Sequence, residues 1–110
     1  MSRPDVLERL FGVIETRKAE RPAESYVVQL LDGGVEAIAA KVIEESHEVI
    51  EAARLNDPEE LAREVADLVF HLWVLFAERG VNPSAMYEVL EGRFGIGGLV
   101  EKASRGSQNE

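Results

Sequence analysis

The sequence predicts an all-α fold, a bundle of four or five helices. Three observations carry this. Apolar residues recur at three- and four-residue spacing in every long segment. Residues that start or stop helices punctuate these segments, at Ser25, Gly33-Gly34, Asp57-Pro58, Gly80 and Asn82-Pro83. No stretch shows the alternation of a half-buried strand, and there is no internal repeat.

Between Asp5 and Ala19, Leu7, Leu10, Phe11 and Ile14 define the apolar face of a first helix. "ERPAES" breaks it, Ser25 suits an N-cap for a short helix "YVVQLLD", and Gly33-Gly34 stops that one. A long helix over 35–55 aligns Val35, Ile38, Ala39, Val42, Val49, Ile50 and Ala53. In "NDPEE", Asp57 caps the next helix, Pro58 fills its first position, and Glu59 and Glu60 suit its positively polarised end. That helix runs to Arg79, where Gly80 closes it. A last helix opens at Asn82-Pro83 and reaches about Arg93, with Met86, Val89 and Leu90 inward. Residues 1–103 read as one domain and 104–110 as a disordered tail.

Composition narrows the function. The formal charge is −9, with 21 acidic against 12 basic residues, so a basic nucleic-acid surface is not expected. The absence of cysteine excludes thiol catalysis and zinc-thiolate sites, and suits a reducing compartment. The N-terminus lacks a signal-peptide core, which places the chain in the cytoplasm where it is made. The apolar run from Val65 to Ala77 contains Asp67 and His71 and is shorter than the roughly 20 residues that span a bilayer. It reads as a buried core helix, with Asp67 sunk in it.

The carboxylates follow a pattern. At about 100° per residue, Glu45 and Glu48 lie on one flank of the apolar stripe of the 35–55 helix, and Glu60, Glu64, Asp67 and His71 share a narrow strip on the next. The two strips can face each other across consecutive helices. Four converging carboxylates repel one another in a low-dielectric crevice, and a hard cation removes the repulsion. An all-oxygen donor set selects magnesium or manganese, and leaves positions for water and substrate phosphates. The plainer readings are a solvated face for Glu36, Glu44, Glu51 and Glu59, a satisfied core histidine for His71, and an i,i+4 ion pair of Lys41 with Glu45.

"EESHE" followed by "EVAD" has the form EExxE…ExxD, which resembles the all-α nucleoside triphosphate pyrophosphohydrolases of the MazG type. Within them, "SYVVQLL", "KVIEESHEVIEAA" and "EVADLVFHLWVLFAERGV" in order resemble the phosphoribosyl-ATP pyrophosphohydrolase family over residues 6–94. The resemblance implies magnesium ligands at Glu45, Glu48, Glu64 and Asp67, and hydrolysis of the α–β phosphoanhydride of phosphoribosyl-ATP, the second step of histidine biosynthesis. Glu44 or Glu48 would take the proton of the attacking water. Lys41, Arg79 and Arg93 are candidate phosphate contacts, chosen as cations near helix edges. Two positions depart from the family pattern. Ile43 replaces the usual glycine after "KV", and Phe70 replaces the usual tyrosine before the histidine.

Two other functions fit parts of the sequence: a house-cleaning nucleotide pyrophosphatase with the same metal chemistry, and a non-catalytic acidic helical adaptor. Because the 61–78 helix is apolar on nearly every side, a homodimer or dimer-based oligomer is expected, with that helix at the seam.

Overall fold

The computed structural model of the chain describes residues 5–94, which form four helices and no strand: α1 Val6–Glu20, α2 Tyr26–Arg54, α3 Pro58–Arg79 and α4 Ser84–Glu91. The expected boundary of the tail at 103 lies outside these residues. Local chemistry sets the ends as the sequence predicts. Ser25 Oγ accepts from the Val28 N–H at 3.3 Å, and Asp57 Oδ1 accepts from the Glu60 N–H at 3.1 Å. Gly80, at φ 69°, closes α3 in the left-handed region.

The separate helices expected over 26–32 and 35–55 are one element with a bend. Gly34 alone leaves helical geometry, at φ 74° and ψ −169°, a conformation essentially confined to glycine. Helix resumes at once, with no loop. The bend also brings Ala37 back over Gly33, where an added Cβ would meet the Ala37 Cβ at 2.5 Å. Both glycines therefore serve one close turn of the backbone.

α2 and α3 form the main antiparallel pair, and α1 packs across it, chiefly on α3. The dry core is Ile14 of α1, Val27, Leu30 and Ile38 of α2, and Trp73, Val74 and Ala77 of α3. Two polar ties fix α1 there: Trp73 Nε1–H donates to the Leu7 carbonyl at 3.0 Å, and Lys18 Nζ donates to the Ala77 carbonyl at 2.7 Å.

α1 has 15 residues against 29 in α2 and 22 in α3. At 1.5 Å per residue it is only about 22 Å long, too short to cover the whole pair. The C-terminal half of α2 and the start of α3 consequently lie beyond it. Ile43, Ile50 and Leu55 are 59%, 47% and 72% exposed there, although the periodicity of α2 marks Ile50 as inward. Ala53, Val89 and Leu90 are likewise exposed rather than core, because among the described residues no element packs over them, and Leu7 is at the edge of exposure. α4 stops at Glu91, and its half-buried Met86 and Tyr87 pack on the core.

Candidate active site

The uncovered end of the α2–α3 pair holds the acidic residues. One oxygen each from Glu45, Glu64 and Asp67 lies within 4.8 Å of the others. Helical spacing explains the convergence: Glu64 and Asp67 are three residues apart on α3, and Glu45 faces them from α2. Glu45 is 9% exposed and Glu64 half-buried. Asp67 is exposed, not sunk in the core as its apolar sequence neighbours imply. Those neighbours turn to other faces of α3, and α1 does not reach this turn.

The electrostatics record the crowding. The Glu64 carboxyl is pushed up to about 7, first by a hydrogen bond with Glu60, then by burial, then by the charges of Glu60, Glu48 and Glu45. Glu60 moves the other way, because Arg63 donates to it at 2.9 Å. Glu48 thus stands close enough for its charge to act on Glu64, but outside the group of three.

The remaining predicted residues divide. Lys41 is at the site, where its ammonium pairs with Glu44 at 2.5 Å. That hydrogen bond holds Glu44 below the usual carboxylate range and Lys41 above the usual lysine range. The i+3 partner thereby replaces the i+4 pairing with Glu45. Arg79 is not brought to the carboxylates: it lies twelve residues after Asp67 on the same helix, about 18 Å along the axis, with Glu78 at 3.6 Å. Arg93 lies past α4, with no ion pair among the described residues and a buried Nε that lacks a hydrogen-bond partner there.

His71, 5% exposed, is a satisfied core histidine. Its Nδ1 bonds the Asp67 carbonyl at 2.7 Å, so Nδ1 carries the hydrogen and Nε2 accepts from the Tyr26 hydroxyl at 2.9 Å. Both ring nitrogens are occupied, which leaves neither for a metal. Sequence reasoning missed Tyr26 as a site residue. It stands in "SYVVQLL", but its contact with His71 spans 45 residues, and that pairing is not legible from local spacing.

An all-helical frame with carboxylates gathered from two consecutive helices is that of the all-α phosphoanhydride hydrolases. More narrowly, the chain belongs to the phosphoribosyl-ATP pyrophosphohydrolase family, whose model matches residues 7–94. Among its relatives, a phosphoribosyl-ATP pyrophosphatase of Rhodopirellula baltica is 44% identical over 94% of this chain and 89% of its own length. That of Methylococcus capsulatus is 44% identical over 92% and 96%, and that of Azospirillum brasilense 45% identical over 93% and 92%.

Proposed function

We propose that the chain hydrolyses the α–β phosphoanhydride of phosphoribosyl-ATP to phosphoribosyl-AMP and pyrophosphate in histidine biosynthesis, using a divalent cation. The observation that carries this reading is the convergence of three carboxylate oxygens within 4.8 Å in a member of this family. The donor set fits a hard ion, magnesium or manganese, since it offers only oxygen. It also fits by charge: Glu64 is pushed up to about 7 first by its hydrogen bond with Glu60, then by burial and by the charges of Glu60, Glu48 and Glu45, and a cation would relieve the charge part of that shift. Glu45, Glu64 and Asp67 would hold the ion, with Glu48 at the edge of the same group. When bound, it supplies charge neutralisation on the phosphate chain and makes an attacking water more acidic.

The chain's own groups do the rest. Glu48 is exposed beside the cluster and has no ion-pair partner among the described residues, so it is free to accept a proton from water. Glu44 suits that role less, because its hydrogen bond with Lys41 lowers its basicity. Lys41, whose charge interacts with Glu45 as well as with Glu44, is the phosphate contact retained here. Arg79 and Arg93 have no place in the proposal.

The active unit is proposed to be a homodimer or dimer-based oligomer. The 61–78 helix is proposed at its seam through its exposed Val65, since its Trp73, Val74 and Ala77 are buried within the protomer, and Ile43 and Ile50 of α2 are exposed apolar residues that a second copy could also cover. Among the described residues no helix is long and apolar enough to cross a membrane, and the proposed place of work is the cytoplasm.

Turnover of phosphoribosyl-ATP against a panel of canonical and damaged nucleotides, with magnesium and with chelator, tests the reaction. Preference for another nucleotide would move the assignment to a house-cleaning pyrophosphatase. Absence of any metal-dependent turnover would leave the non-catalytic adaptor. A monomeric mass at micromolar concentration would refute the oligomer.

A further inference from the structure

We infer that a second subsite, the cleft formed by Arg17, Tyr26 and Phe70, binds the adenine ring and the phosphoribosyl monophosphate of the substrate, with Arg17 receiving that phosphate. The inference rests on the reaction proposed above and adds the residues that recognise the far end of the substrate. The cleft, about 470 Å³, opens where the end of α1 meets the start of α2 and the middle of α3.

Its aromatic wall is pre-set. The Tyr26 and Phe70 rings lie 15° from parallel with centroids 6.0 Å apart, a stepped surface against which a planar base can lie. Tyr26 is 44% exposed, yet its hydroxyl is pinned. Because the His71 Nδ1–H is committed to the Asp67 carbonyl, Nε2 can only accept, and the Tyr26 hydroxyl must donate to it. His71 stands edge-on to both rings. The wall is therefore tied to the backbone of a metal-cluster residue. Phe70 and His71 follow Asp67 by three and four residues, a rise of about 5 Å along α3. A base in the cleft would lie one helical turn from the carboxylates, next to the phosphate chain they serve.

Charge chooses the orientation. The substrate is anionic at both ends, with a triphosphate on one ribose and a monophosphate on the other. The carboxylate group suits the first through a cation and repels the second. Most basic side chains near the cleft are engaged: Arg21 with Asp32, Lys41 with Glu44, and Lys18 with the Ala77 carbonyl. Arg17 lines the cleft, is exposed, and has no side-chain partner among the described residues. A guanidinium offers two parallel N–H donors to a phosphate. Glu24 on the same rim would accept from ribose hydroxyls, and its charge disfavours a longer polyanion there.

Calorimetric titration of the magnesium-loaded protein with AMP and with phosphoribosyl-AMP tests this, since the two ligands differ only by the phosphoribosyl group and neither is consumed. The parent should bind phosphoribosyl-AMP about tenfold or more tightly than AMP, as expected of a charge-assisted phosphate contact. Arg17→Gln should remove most of that difference and keep the melting temperature, because the side chain has no hydrogen-bond or ion-pair partner among the described residues. Equal affinities in the parent, no binding of phosphoribosyl-AMP, or an equal loss for both ligands in the variant would overturn the subsite. Failure of the reaction itself shows separately, as absent turnover of phosphoribosyl-ATP.

Discussion

The two ends of the α2–α3 pair are built from the same amphipathic pattern and put to opposite use. At one end α1 lies across the pair, and Ile14, Ile38, Trp73 and Val74 pack into a dry core. At the other α1 is missing. Apolar residues, Ile43 and Ile50, are exposed, and Glu45, Glu64 and Asp67 crowd together. The first end maximises burial. The second keeps charges close enough to repel, a cost to stability that the proposed cation would offset. The lesson is that one helix, by its length, divides a continuous pair into a scaffold and a site.

Truncating the scaffold should give the largest effect on stability. Trp73→Ala removes a nearly fully buried indole and its bond to the Leu7 carbonyl, and should cost about 3–5 kcal/mol. Magnesium affinity of the molecules that remain folded should stay close to the parent's. Denaturant melts with parallel metal titration check this, and a matched loss of affinity would mean that the ends are not separable.

Glu45→Gln breaks the comparison from the other side. Turnover should fall about a hundredfold or more, because the most buried of the three carboxylates is lost. With chelator, however, the variant should melt no lower than the parent, since one charge leaves a mutually repelling group. With magnesium the order should reverse, as the ion stabilises only the chain that binds it. Asp67→Asn should repeat this pattern more weakly, because Asp67 is exposed. Equal destabilisation with and without the ion would sink the metal assignment.

The bend at Gly34 joins the two ends and offers a smaller, independent perturbation. A Cβ there meets no atom within 4 Å, so Gly34→Ala is a test of backbone conformation alone. The positive φ should cost about 1–3 kcal/mol. If the bend also sets the Tyr26–His71 contact, nucleotide affinity should weaken in the same variant, whereas unchanged binding would separate the bend from the site.

How much of this was legible in the sequence depended on distance along the chain. Ser25, Asp57 and Gly80 act within one turn of themselves, and their roles could be read directly. The carboxylate strips were legible because helical angle fixes which residues share a face, and Glu64 with Asp67 obey it. The burial of Asp67 was misread because sequence neighbours on a helix point elsewhere. The reach of α1 is a tertiary fact. Tyr26 with His71 was invisible for a related reason: the contact spans 45 residues and is made by the packing of α2 against α3. Arg79 was chosen by proximity to a helix edge, which does not tell which end of the helix carries the carboxylates, and it stands twelve residues after Asp67 on α3.

The smallest predicted effect is a pH dependence, and its sign follows from Glu64. In the metal-free protein this carboxyl titrates at about 7 against an ordinary 4.5, so between these values the folded chain holds a proton that the unfolded chain has released. Its contribution is therefore fully present below about 4.5 and is lost as the pH rises through about 7. Glu44 and Glu60, held low by Lys41 and Arg63, act oppositely and only under acid conditions, since their contribution persists above the ordinary carboxylate value. Chelated protein should accordingly melt lower at pH 8 than at pH 6. Magnesium must displace the Glu64 proton, so its affinity should fall about tenfold per unit of acidification below that value, and the stabilisation it confers should be greater at pH 8. Melts at both pH values, with and without the ion, read both trends in one experiment. Glu64→Gln should abolish them together, and a variant that kept the parent's pH dependence in chelator would show that the proton resides elsewhere.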